Sequence, residues 1–151
     1  MYIGRFAPSP SDSLHFGSLV TAVVNYLDAK HHQGIWKIRM EDLDKPRIIK
    51  GADKIILASL PEHGLECDDE VTYQSNRFEI YQSYIATLNK KGHTYFCKCS
   101  RKEISDSGIE GIIYPGTCRD KKIDAYTHSA LRIKVKNEWT TFNDAIQGRI
   151  K

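Results

Sequence analysis

No apolar run in the 151 residues approaches the ~20 needed to cross a bilayer, so a membrane-spanning role is not expected. No signal-peptide pattern opens the chain either, which makes the cytoplasm the expected compartment. There is no low-complexity tract and no internal repeat, which argues against fibrous, solenoid and disordered classes. Neither sign of charge dominates: 22 Lys and Arg face 19 Asp and Glu, for a formal net charge of +3. A balance that mild permits a nucleic-acid partner without arguing for one. Cysteine is scarce, with only Cys67, Cys97, Cys99 and Cys118. In a cytoplasmic chain such a set binds metal or lies buried more often than it forms disulfides.

What is present suits one α/β domain, since 40% hydrophobic residues over this length can bury a core. "MYIGRF" reads as a short strand, and Pro8 and Pro10 pin the loop after it. Leu19, Val20, Val23, Val24 and Leu27 recur at helical spacing within Ser18 to Lys30. Gly34 breaks that pattern, and Ile35 to Met40 reads as a second strand. Strand, helix and strand make a βαβ unit, hence a parallel sheet. A second helix is expected from Gly51 to Leu60, ended by Pro61. A third is expected from about Asn76 to Lys91, with Phe78, Tyr81, Ile85 and Leu88 as a core-facing stripe and Gly92 as its stop. "HTYFCKCS" and "IIYPGTCRD" flank a polar loop, while "ALRIKVK" and "EWTTF" alternate like two strands paired with each other.

Two places carry chemistry. The first loop leaves the carboxyl end of a strand, where ligands of open parallel sheets sit. A helix beginning near Gly17 turns unpaired N–H groups toward that loop, a setting that favours an anion. His15 could donate a hydrogen bond to a phosphoryl oxygen there, and Gly17 removes a Cβ from the approach. A histidine before a helix can also be a cap and nothing more. The second place is Cys97, Cys99 and Cys118, which with one further ligand would make a closed tetrahedral metal site. Residue type leaves that ligand open among Tyr114, His93 and His128. Cys67 stands apart and is expected to pack.

"RFAPSPSDSLHFGSL" resembles the signature region of class I aminoacyl-tRNA synthetases of the glutamyl type, with "HFGS", His15 to Ser18, in the place of their HIGH motif. "IRMEDLDKPR", Ile38 to Arg47, is similar to the R-I-E-D-x-D-x-x-R stretch of that family, and "YQSNRFEIYQSYIATLNKKGHTYFCKCS" continues it in order. Within the family, "CKC" followed by "IIYPGTCR" is similar to the C-x-C and Y-x-x-x-C zinc site of the glutamyl-Q tRNA(Asp) synthetases, which attach glutamate to queuosine in tRNA(Asp). The alternative branch is a discriminating glutamyl-tRNA synthetase that charges the tRNA 3′ end.

The resemblance implies the N-terminal half of a Rossmann-like nucleotide-binding domain with a small zinc-binding insertion. The expected boundaries are 1–93 for the first half of the catalytic domain, 94–128 for the insertion and 129–151 for the continuing catalytic region. It implies L-glutamate, ATP with Mg2+, and a tRNA, tRNA(Asp) bearing queuosine, as partners of a cytoplasmic monomer. Arg5, Phe6, Ala7, Pro8, Ser9 and Glu41 would bind glutamate. Arg5 would act as a planar carboxylate clamp and Glu41 as partner of the ammonium group. Pro8, His15 and Gly17 would face ATP, and His15, Gly17 and Ser18 would serve catalysis. Tyr114 would join Cys97, Cys99 and Cys118 on structural zinc. A solvated acidic turn is the plain alternative for Glu41 with Asp42 and Asp44. Asp12 stands where the family has glycine, a place that could call for a left-handed backbone. No KMSKS-type lysine loop precedes Lys151, so a truncated chain or gene fragment, inactive alone, is the expectation. Such a piece could be a zinc-stabilised domain that binds nucleotide or tRNA only.

Overall fold

Residues 1–107, 113–124, 129–136 and 138–151 are described by a computed structural model, in which the chain divides into two units, Met1–Gln82 and Ser83–Lys151. The first unit is the expected βαβ arrangement, continued by a further helix and strand. It runs β1 (Ile3–Phe6), α1 (Phe16–His31), β2 (Ile35–Met40), α2 (Ala52–Glu62) and β3 (Thr72–Tyr73). The three strands form one parallel sheet in the order β1-β2-β3. The register sets Ile3 beside Ile35, Phe6 beside Ile38 and Met40 beside Tyr73. Alternation along central β2 buries Trp36, Ile38 and Met40, which pack with Phe6, Ile56, Leu60 and Leu65.

The buried face of α1 differs from the large-residue stripe. Leu19 and Val23 pack against the core, but Val20 and Leu27 are exposed, and the fully buried positions are Ala22 and Ala29. The reason is proximity. A Cβ on Gly4 of β1 would stand 2.7 Å from the Ala29 Cβ, so only small residues fit where helix and strand meet. Gln33 and Gly34 close the helix together. Gly34 N–H reaches the Ala29 carbonyl and Gln33 N–H that of Lys30, a Schellman pattern. The left-handed position in it is Gln33, at φ 51°. Gly34 is needed for space, because a Cβ there would lie 2.4 Å from the Tyr2 carbonyl oxygen.

Pro61 does not end α2; it lies in its last turn, and the helix runs to Glu62. The stop is Gly64, at φ 72°, with Leu65 N–H on the Leu60 carbonyl. Beyond it, Asp68 accepts hydrogen bonds from Lys30 and from the Trp36 N–H, which hold its carboxyl below the usual range. A carboxyl depressed by folding stabilises above its unfolded pKa, and that support is lost as pH falls through the lower folded value. Asp68→Asn should therefore weaken the protein at neutral pH and flatten the acid limb of its stability curve below about pH 4. An unchanged acid limb would remove Asp68 from the account.

The third helix is shorter than expected: a 3-10 turn over Gln74–Arg77 leads into α3 (Phe78–Lys90). Its stripe is not core. No residue of α3 is buried, Phe78 is 57% and Ile85 45% exposed, and Tyr81 and Leu88 are half-buried. The helix carries the chain out of one unit into the next, so its stripe has no single core to pack on among the described residues. Gly92 ends it as expected, at φ 72°.

The second unit continues with β4 (Thr94–Cys97), α4 (Arg101–Ser107), β5 (Ala130–Ile133), β6 (Phe142–Asp144) and β7 (Gly148–Ile150). Sequence reasoning missed α4, although Ser100 and Glu103 form its capping box, each side chain bonding the other's N–H. The pairing of "ALRIKVK" with "EWTTF" is also corrected. β5 pairs antiparallel with β4, and β6 with β7. On β5 the apolar Leu131 and Ile133 face outward, exposed, while Arg132 is half-buried opposite Tyr95. Among the described residues no helix is long and apolar enough to cross a membrane.

Candidate functional site

The carboxyl ends of the three parallel strands are stitched together by their loops. Glu41 N–H donates to the Pro8 carbonyl at 2.9 Å, and Ile49 N–H to that of Pro10 at 3.0 Å. Ser75 donates from N–H and hydroxyl to the Asp42 carboxylate, at 2.9 and 2.5 Å. Pro8 and Pro10 are buried, which fixes the course of the loop between β1 and α1. That loop walls a cleft of about 340 Å³ with Phe6, Ala7, Pro8, Ser9, His15 and Ser18, together with Ser11, Asp12, Ser13, Leu14, Thr21 and Ile56.

His15 is the N-cap of α1, with extended backbone. Its Nδ1 accepts the Ser18 N–H at 3.2 Å, so the proton of a neutral ring belongs on Nε2. Nε2 faces the Ser18 hydroxyl at 2.9 Å. The residue is a cap, and it also carries a donor nitrogen into the cleft. Gly17 makes room for this ring: a Cβ there would sit 3.2 Å from His15 Cε1. Thr21, which sequence reasoning missed, bonds the Gly17 carbonyl at 2.9 Å and lines the cleft one turn on. Asp12 accepts its neighbour's N–H, from Ser13, at 2.7 Å. Among the described non-glycine residues only Gln33 has positive φ, so Asp12 needs no left-handed backbone.

Arg5, Gly17 and Glu41 are not among the residues lining this cleft. Arg5 is exposed at the end of β1. Glu41 is half-buried and paired with the Arg39 guanidinium at 2.5 Å, so its carboxylate is anchored rather than freely solvated. Asp44 is paired with Arg47.

In the second unit the sulfurs of Cys97, Cys99 and Cys118 lie within 4.8 Å of one another, with Cys99 and Cys118 3.6 Å apart. The Tyr114 hydroxyl stands 3.3 Å from Cys97 Sγ and 3.9 Å from Cys99 Sγ, and accepts the Cys118 N–H at 2.8 Å. His93 brings no ring nitrogen to this group, and His128 lies outside the described residues. Burial pushes the Cys97 thiol up, but the Tyr114 hydroxyl and the positive charge of Arg132 outweigh it and bring it to about 6. The Tyr114 hydroxyl draws Cys118 down as well, while burial and the neighbouring thiols raise Cys99. Burial and the three sulfurs raise Tyr114. Three sulfurs and a phenol oxygen so gathered suit a thiophilic tetrahedral cation such as zinc. Arg132 is the neighbour that sequence reasoning missed; its place in an alternating strand gave no signal. Cys67 packs against the core of the first unit, apart from this cluster.

The chain matches, over residues 3–151, the family described as tRNA synthetases class I (E and Q), catalytic domain. It is 48% identical to a glutamyl-Q tRNA(Asp) synthetase of Dechloromonas aromatica, an alignment covering 99% of this chain and 51% of that protein. It is 42% identical to the glutamyl-Q tRNA(Asp) synthetase of Acinetobacter baylyi, over 97% of this chain and 49% of that protein. The chain thus spans about half the length of these curated relatives. Among solved structures it resembles a glutamate tRNA ligase from Elizabethkingia meningosepticum in complex with its amino acid. The TM-score is 0.77 and the identity 26%, over 98% of this chain and 35% of that one.

Proposed function

Because this chain belongs to the family of class I tRNA synthetase (E and Q) catalytic domains, we propose that it forms part of a ligase that activates L-glutamate with ATP and transfers it to tRNA(Asp) bearing queuosine. The observation that carries the reading is the stitched cleft over the parallel sheet, with His15 capping α1 at its edge. The acceptor is taken from the names of the curated relatives, and a cytoplasmic monomer is the form proposed.

Activation joins a carboxylate oxygen to the α-phosphorus of ATP and expels pyrophosphate. The glutamate carboxylate is already ionised at neutral pH, so no general base is needed. What the protein must supply is alignment of two anions and donors for the charge that develops. In this reading the N-terminal turn of α1 and His15 Nε2–H serve the phosphoryl oxygens, with Pro8 and Gly17 beside them. Ser18 receives the Nε2 proton's hydrogen bond until substrate arrives. Phe6, Ala7, Pro8 and Ser9 form the amino-acid wall. Arg5 at the strand end and Glu41, held by Arg39, are the charged partners of glutamate's carboxylate and ammonium groups. Mg2+ would arrive with ATP. Cys97, Cys99, Cys118 and Tyr114 would hold one zinc ion, which supplies a structural cross-link rather than reaction chemistry.

In the protein that carries this chain, glutamate-dependent exchange of pyrophosphate into ATP should proceed without tRNA. Strict dependence on tRNA(Glu) would move the reading to the ordinary glutamyl-tRNA synthetase. Absence of exchange with zinc retained would reduce the chain to a binding domain. His15→Ala should slow the exchange at least tenfold, equivalent to ~1.4 kcal/mol; an unchanged rate would take His15 out of the mechanism.

A further inference from the structure

We propose that Arg132 is a positioning residue of the cysteine site, setting both its charge balance and the orientation of Tyr114. The inference rests on the metal reading above and adds to it a residue outside the ligand set.

Its starting point is the inverted alternation of β5. Leu131 and Ile133 would ordinarily be the residues turned inward, and instead the strand presents Arg132 to the interior. The register explains where it goes. Arg132 is paired with Tyr95, and Tyr95 shares its face of β4 with Cys97, two residues on. The guanidinium lies over the Tyr114 ring, its central carbon 4.3 Å from the ring centroid, and the hydroxyl of that ring stands 3.3 Å from Cys97 Sγ. Among the described residues no carboxylate pairs with it. Its Nε is buried without a hydrogen-bond partner, so an ordinary ion pair does not account for its position.

A guanidinium is costly to bury without compensation. The Tyr114 ring face is the compensation available, and Tyr114 belongs to the cluster. Three thiolates on a divalent cation leave a net negative charge in a partly desolvated place. A permanent cation stacked on the Tyr114 ring offsets it, and arginine cannot surrender its charge. The planar contact also limits the tilt of the Tyr114 ring, which holds the hydroxyl near Cys97 and Cys99. Outer partners of this kind change metal affinity by about 10- to 100-fold.

The test is zinc affinity measured by chelator competition on the whole chain, read alongside the sulfur-to-metal charge-transfer absorption of the cobalt-substituted form. The unsubstituted protein should bind about one zinc. Arg132→Met should keep the fold at saturating zinc but bind it about tenfold or more weakly and shift the cobalt band. Arg132→Lys, which keeps the charge without the planar stack, should recover part of the affinity and leave the band displaced. Arg132→Gln takes the place of the methionine variant if that one does not fold. Wild-type affinity and an unmoved band in the methionine or glutamine variant would overturn the proposal. An unsubstituted protein that binds no zinc would instead overturn the metal reading beneath it.

Discussion

Cys97→Ser should reduce bound zinc from about one per chain to nearly none and lower the melting temperature of the second unit more than any surface substitution there. Cys97 is the most buried of the three cysteines, and its sulfur is 3.3 Å from the Tyr114 hydroxyl. Structural zinc in small peptides carries about 10–16 kcal/mol of apparent binding free energy near neutral pH. Losing even a fraction of that exceeds the ~1 kcal/mol of an ordinary point substitution. The small core here is Tyr95, Cys97 and Cys118 with a few half-buried neighbours, little apolar area to hold the unit if the proposed ion is lost. Metal analysis and a thermal scan with and without chelator would check this. A serine variant that keeps one zinc and melts like the parent would refute it, as would an unsubstituted protein without metal and with all four thiols freely titratable.

Trp36→Ala should cost about 3–5 kcal/mol in the first unit, near the upper end for a core truncation. The indole is fully buried at the centre of the sheet, 6.3 Å from the Phe6 ring and edge-on to Tyr26 at 5.2 Å. Its Nε1–H donates to Asn25 at 2.8 Å, so the truncation also leaves a half-buried amide oxygen without that donor. Trp36→Phe keeps most of the volume and should recover more than half of the loss. Denaturant unfolding followed by circular dichroism would measure both. A loss under ~1 kcal/mol for the alanine variant would mean that the core does not depend on this side chain.

The βαβ frame could be read from the sequence because its signals are local: alternation in β2, helical spacing in α1 and two prolines between strand and helix. The gathering of Cys97, Cys99 and Cys118 is likewise legible in residue type and spacing, whereas Tyr114 comes only with the family resemblance, because residue type leaves the histidines equally open. What escaped depended on distance across the fold. Ala22 and Ala29 outrank Val20 and Leu27 in burial because Gly4 lets the helix approach, and no periodicity records that. The stripe of α3 is apolar, yet the helix leaves one unit for another, and periodicity names a face without naming its partner. In β5 alternation marks two faces but not which is inward; the inward one carries Arg132, which meets the Tyr114 ring. Glu41 was read in isolation, whereas Arg39, two residues earlier on the same strand, is what holds it.

The cysteine cluster bears also on the order in which the second unit assembles. The β4–β5 ladder, from Thr94 beside Ile133 to Cys97 beside Ala130, joins strands separated by a long intervening segment. The entropy of closing that span is met before any ladder bond forms, and non-local pairings of this kind fold slowly. Cys118 lies between the two strands and meets Cys99 just beyond β4. A chain that gathers its sulfurs first therefore has only the shorter remainder, from Cys118 to Ala130, left to close. Zinc supplied before refolding should speed formation of the strand pair, while zinc added afterwards should only slow its opening.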